Sequence, residues 1–226
     1  LQWQCTAVFH LYLLPLLHCN ASLSTMISQN KSSRPDHNGW MPGRKRLMTT
    51  FFILLLAHLI ADFPLQTNRI YALKTQGNKG LALHVAIHVI VAALLIERPW
   101  QHIPLLFVYG AIHFAVDWYK VHKSGTRQTP GFLLDQLAHF VTIVVLSFWQ
   151  PYLTSLLPFW LVWLGIMLTL VPALLMTLWV LANDLRSNLP NNPTVTWASC
   201  RLLPLSQKIG SVFVLSLLLM MLLVVV

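Results

Sequence analysis

Charge is what this chain has least of. Only 9% of its 226 residues are Asp, Glu, Lys or Arg, whereas 56% are hydrophobic. Soluble domains carry about 25% charged residues, and a water-exposed surface cannot be built from so few. Acidic residues are scarcest, six against fifteen Lys and Arg. The positive balance does not mark a nucleic-acid partner, because the basic residues stand singly along connectors and form no stripe beside aromatics. Cysteine occurs only at Cys5, Cys19 and Cys200, with no CxxC pair and no even framework. Neither a disulfide scaffold nor a zinc ribbon is indicated, and the redox compartment stays open. Serine-nucleophile motifs, phosphate loops, nucleotide fingerprints and fixed-period repeats are missing as well, so no substrate or oligomeric state is read from motif.

What the chain does have is apolar runs, each of roughly the 17 to 25 residues that cross a hydrocarbon core. The expected fold is all-α, a polytopic transmembrane bundle of about six helices, near 48–66, 81–97, 101–121, 131–150, 157–182 and 209–226. Breakers punctuate the connectors, among them Gly77, Gly80, Pro99, Pro130 and Pro158, and the polar stretch 183–208 reads as an extramembrane loop. Trp100, Trp118, Trp149, Tyr152 and Trp160 fall near helix ends, where an interfacial aromatic belt would place them. Residues 1–47 combine a short apolar run with a polar stretch and lack the basic start of a signal peptide. We expect them to be a leader, a tag-like extension or upstream read-through, with Met48 beginning the functional chain. Residues 48–150 then form a four-helix core, and 151–226 add two further helices.

If the helices alternate in direction, connectors 67–80, 122–130 and 183–208 share one side and hold Arg69, Lys74, Lys79, Lys123, Arg127, Arg186, Arg201 and Lys208. The opposite side, from Met48 on, holds only Arg98. The positive-inside rule makes the basic side cytoplasmic.

Each of the first four helices carries two ligating or ionisable residues four apart: His58 and Asp62, His84 and His88, His113 and Asp117, Asp135 and His139. Residues at i and i+4 leave one helix face, so each pair is a polar patch on an apolar cylinder. Three of the six acidic residues belong to these pairs, although Asp in hydrocarbon costs roughly 2.5 to 3.5 kcal/mol on insertion scales. The pairs come late in the first and third helices and early in the second and fourth. Alternating direction therefore brings all four to one level, toward the basic side. Gln66, four after Asp62, extends the first patch by a turn; Lys120 and Gln136 are further rim residues. Pro64 is expected to kink the first helix and free a carbonyl that needs a partner.

Imidazole with carboxylate is ligand chemistry for Zn, Mn or Fe, and paired His at i and i+4 is how zinc-binding helices present them. Eight ligands exceed one tetrahedral site, so either two metals bind or some residues orient ligands and move protons. A divalent metal site in a hydrolase is the first reading. Proton or divalent-cation transport is the second. A structural polar core is the third: one such pair is worth only about 0.6 kcal/mol as interhelical glue, but four at a single depth ask for more. Haem is not expected, although bis-His ligation would show at once in a visible spectrum. His102 and His122 read as interfacial, Met176, Met220 and Met221 as packing residues, and His10, His18 and His37 carry no weight.

The segments HLIADFPLQT (58–67), LALHVAIH (81–88), IHFAVDWYK (112–120) and FLLDQLAH (132–139) together resemble the bacterial membrane family catalogued as domain of unknown function 3307, over about residues 48–148. That resemblance implies an integral membrane protein and carries no activity. More loosely, and without a shared motif, His- and Asp-bearing helices are similar to those of YdjM-like inner-membrane proteins, which would imply a metal-dependent hydrolase. Residues 157–226 lie outside the resemblance.

Overall fold

Alternation of apolar runs and short breakers becomes a bundle of antiparallel helices in the computed structural model, which describes residues 42–123 and 128–225. The helices are α1 (Pro42–Asp62), α2 (Asn68–Gln76), α3 (Asn78–Leu95), α4 (Ile103–Lys123), α5 (Gln128–Trp149), α6 (Phe159–Arg186) and α7 (Pro193–Val225), with a 3-10 turn at Pro99–His102. Among the described residues β structure is limited to a single bridge, Ile96 with Ser155. Helices α3, α5, α6 and α7 are long and apolar enough to cross a membrane, and Met48–Asp62 is a shorter apolar helix. Residues 1–41, with Cys5, Cys19, His10, His18 and His37, lie outside the described residues.

Helices α1, α3, α4 and α5 form a ring in which each touches its two neighbours; α6 packs on α1 and α5, and α7 on α6. The ring is tight because small residues sit where helices cross. A Cβ on Gly110 of α4 would lie 2.8 Å from a methyl of Val89 on α3, so glycine lets those two helices approach at the level of His88 and His113. At the end opposite the basic connectors the ring is filled by Ile53, Leu54, Ala92, Leu105, Ile143 and Leu146, all buried. There the α3–α4 and α5–α6 connectors bond to each other, Glu97 N–H to the Thr154 carbonyl at 3.0 Å and Leu156 N–H to the Leu95 carbonyl at 2.9 Å.

Several local expectations are corrected. Pro64 ends the first helix at Asp62 instead of kinking a longer one. The Ile60 carbonyl that Pro64 has no N–H to reach accepts from Leu65 N–H at 3.0 Å, so that group is satisfied within the backbone. Gln66 consequently does not continue the His58–Asp62 face; it lines the mouth of a cleft. The stretch 183–208 is mostly helical: α6 runs on to Arg186, and α7 begins at Pro193. Asn192 Oδ1 accepts from the backbone N–H groups of Thr194 and Val195 at 3.0 and 3.2 Å. Asn192 is thus a helix N-cap followed by proline at the first helical position. Pro204 is carried inside α7, where Ser206 Oγ donates to the Pro172 carbonyl of α6 at 2.9 Å.

A short helix not foreseen, α2, lies beneath the ring on the basic side. Thr67 caps it by accepting from Ile70 N–H at 3.3 Å, and its last turn folds against the start of α3. Any side chain at Gly80 would collide with the Leu73 carbonyl, so this turn requires glycine. The close fold-back turns Lys74 upward into the bundle.

Candidate functional site

Each i, i+4 pair points into the ring. His58, Asp62, His84, His88, His113, Asp117, Asp135 and His139 are all at most 5% exposed, and neighbouring members stand within 4 Å through a chain of contacts. The structure thus brings all eight residues together.

The tightest convergence is around Asp62 Oδ1, 3.1 Å from His88 Nε2 and 3.2 Å from His84 Nε2, with those two nitrogens 3.2 Å apart. Two imidazole nitrogens at that distance either share one hydrogen or aim both lone pairs at a common cation. Metal–ligand distances of 2.0–2.1 Å in a tetrahedral site imply ligand–ligand separations of about 3.3 Å, close to all three edges observed. A ligand atom from His113 completes a set of four lying within 4.8 Å of one another.

The partners of these ligands fix their orientation. The other oxygen of Asp62, Oδ2, accepts from Gln136 Nε2 at 2.9 Å, while Gln136 Oε1 is 3.4 Å from His58 Nε2. His88 Nδ1 is 3.4 Å from the hydroxyl of Tyr109, which leaves His88 Nε2 to face Asp62. A hydrogen bond at the far ring nitrogen is the usual way a ligating imidazole is held in one tautomer.

A second group surrounds Asp117 and Asp135. Asp117 Oδ2 is 3.4 Å from His113 Nε2 and 3.5 Å from His84 Nε2; His139 Nε2 lies 3.4 Å from Asp135 Oδ1 and 3.8 Å from Asp117 Oδ1. The rings of His113 and His139 stack at 4.0 Å. Here, unlike at Asp62, lysines supply counter-charge. Lys74 Nζ is 2.7 Å from Asp117 Oδ1 and Lys120 Nζ is 2.6 Å from Asp135 Oδ2. Burial alone would lower the pKa of the Lys74 ammonium, but the carboxylates of Asp117 and Asp62 outweigh it and hold the pKa above the ordinary lysine value. The ion-pair partners of Asp62 among the described residues are imidazoles only.

Lys74 and Tyr109 were not anticipated. Tyr109 stands four before His113, on the face that holds His113 and Asp117, so helical spacing could have found it. Nothing local marks Lys74, whose partner comes from another helix. His122 is exposed at the end of α4, its Nδ1 2.8 Å from the Trp118 carbonyl, and His102 meets Gln150 at 3.3 Å at the opposite end; neither joins the cluster. Met176 is buried in packing.

Nδ1 of His58, His84 and His113 is buried and finds no hydrogen-bond partner among the described residues. Each such atom costs about 1–3 kcal/mol if left unsatisfied, which a polar ligand or water within the cluster would offset. The donor chemistry and the spacing both fit a divalent cation.

A family model described as a protein of unknown function (DUF3307) matches residues 50–167, just over half of the chain. The chain belongs to the DUF3307 family. The DUF3307 match takes in the four ring helices and also the first part of α6, further than the motifs alone suggested. That extension has a structural counterpart in the crossing of α6 over α1, where a Cβ on Gly165 would lie 3.0 Å from Leu56. No curated protein and no solved structure matches the DUF3307 chain.

Proposed function

We propose that this DUF3307 protein is a multi-pass protein of the bacterial inner membrane that holds a divalent transition metal, Zn, Mn or Fe, and works as a hydrolase near the cytoplasmic leaflet. The observation that carries the reading is the convergence of Asp62 Oδ1, His84 Nε2 and His88 Nε2 on edges of 3.1 to 3.2 Å, with His113 as the fourth ligand. A metal there would supply Lewis acidity, polarising an ester, amide or phosphate oxygen and making a water more acidic.

The chain's own residues do the rest. Gln136 and Tyr109 hold Asp62 and His88 in ligating orientation. Lys74 and Lys120 neutralise Asp117 and Asp135, so the charge left for a cation is that of Asp62. His139, between Asp117 and Asp135, is our candidate to give a proton and take it back. The basic ends of the helices set the cluster toward the cytoplasm. Transport of protons or cations is the second reading, supported by the unbroken contact chain from Tyr109 to Lys120. It is disfavoured by two features: α3, α4 and α5 run without interruption through the cluster, only α1 ending there, and apolar side chains fill the ring on its far side.

Elemental analysis of protein purified in detergent, after growth with added Zn, Mn and Fe, tests the proposal. Stoichiometric metal is expected in the native chain and a loss of at least about tenfold in His88→Ala and Asp62→Asn, with metal-dependent cleavage of chromogenic esters or phosphodiesters. A native chain that neither carries these metals nor takes them up in equilibrium dialysis refutes it.

A further inference from the structure

The cluster opens on the basic side into a cleft of ≈ 1120 Å³ whose lining includes Asp62, Asp135 and Gln136. Drug-sized ligands occupy pockets of roughly 300 to 1,000 Å³, so this cleft has room for a ligand of at least that size. Its lining combines two chemistries. Lys120, beside the cluster, and the exposed Lys123 and Gln128 are polar, whereas Val116, Leu134, Ala138, Met176 and Val180, from α4, α5 and α6, are apolar. Lys120 bridges the two, its Nζ on Asp135 and 5.4 Å from the ring centre of Phe132. The cleft is open where Tyr119 and Leu134 line it, since both are more than 60% exposed. Lys74 and Lys120 are ion-paired with Asp117 and Asp135, so among the described residues Lys123 is the lining's cation that is left to face an incoming anion.

A small soluble anion has no use for a long apolar wall, and a neutral lipid has none for the lysines. We propose that the cleft binds a phosphate-headed anionic amphiphile, its head at Lys120 and Lys123 beside the cluster and its chains along the α4–α5–α6 wall. Lysine is a suitable point charge for phosphate, and the basic loops set this end of the cleft at headgroup level. The inference names the substrate class of the hydrolytic site and, as a substrate assignment, rests on that reading; the binding itself does not need the metal.

Binding is measured on the full chain in neutral detergent, with and without prior chelation, using a soluble short-chain phosphatidic acid, glycerol phosphate as its head, the matching diacylglycerol as its tails, and a fatty acid of equal chain length. Phosphatidic acid is expected to bind about tenfold or more tighter than any of the other three. Lys123→Glu and Ala115→Trp, which crowds the cleft from α4, both replace exposed residues; each is expected to weaken phosphatidic acid binding at least about fivefold while thermal unfolding in detergent stays unchanged. Equal affinity for glycerol phosphate (a free-phosphate site), for diacylglycerol (a lipid crevice) or for fatty acid (a carboxylate site) overturns the proposal, as do folded variants that bind like the native chain. Selective binding to a chain that takes up no metal sinks the metal reading and leaves this one standing. Stoichiometric metal without selectivity does the reverse.

Discussion

Lys74→Met isolates the contribution of one buried charge. The Lys74 ammonium is 2.7 Å from Asp117 Oδ1, and both side chains are almost wholly inaccessible, at 6% and 1% exposure. Methionine keeps the length of the stem and removes the charge. Asp117 is then left with imidazoles at 3.4 to 3.8 Å, none as close as the lysine. Removing one partner of a buried ion pair costs about 3–5 kcal/mol, because the remaining charge stays desolvated. Protonation of His113 or His139 can return part of that, so the lower end of the range, about 3 kcal/mol, is expected. Asp117→Asn alone strands Lys74 in the same way, whereas the double variant has neither charge and is expected within about 1–2 kcal/mol of the native chain. The assay is reversible unfolding in mixed micelles, run as a double-mutant cycle. A Lys74→Met cost below about 0.5 kcal/mol, the level of an ordinary surface change, or a double variant equal to the sum of the singles, refutes the argument.

Asp184 accepts from the backbone N–H groups of Gln128 and Thr129 at 2.9 and 2.6 Å, capping α5 from the end of α6; Asp184→Ala is expected to cost about 1–2 kcal/mol in the same unfolding assay. Gln136→Leu removes the donor that holds Asp62 Oδ2 without touching a proposed ligand. Metal affinity measured by competition with a chelating dye is expected to fall about 10- to 100-fold with the fold retained, and an unchanged affinity would detach Gln136 from the site.

The pairs were readable because each is local. His58 with Asp62, or His113 with Asp117, needs only the helical repeat to share a face, and reversal of direction between successive helices brings them level. The boundaries that went astray depended on backbone chemistry with two readings. Pro64 could kink or terminate, and the outcome turned on Leu65 N–H reaching the Ile60 carbonyl. Asn192 and Pro193 look like a loop until they are seen as a cap and a first helical residue, after which Trp179 Nε1 donates to the Ser199 carbonyl at 2.9 Å and holds the start of α7 on α6. Lys74 was read only as a loop charge that sets topology. Its role depends on α2 folding back against α3, and no periodicity within α2 reports what another helix offers.

That fold-back also orders the biogenesis of the protein. Lys74 leaves the ribosome a full helix ahead of α4, which carries the carboxylate it will pair with, and a growing chain that ends before α4 offers it only the more distant Asp62. Until Asp117 arrives, the amphipathic segment Asn68–Gln76 belongs at the water interface, and its ascent into the bundle is a late event that the arrival of α4 permits. Lys74 is therefore seated beneath the ring only once Asp117 stands, so a chain arrested before α4 presents the first two pairs without their buried cation.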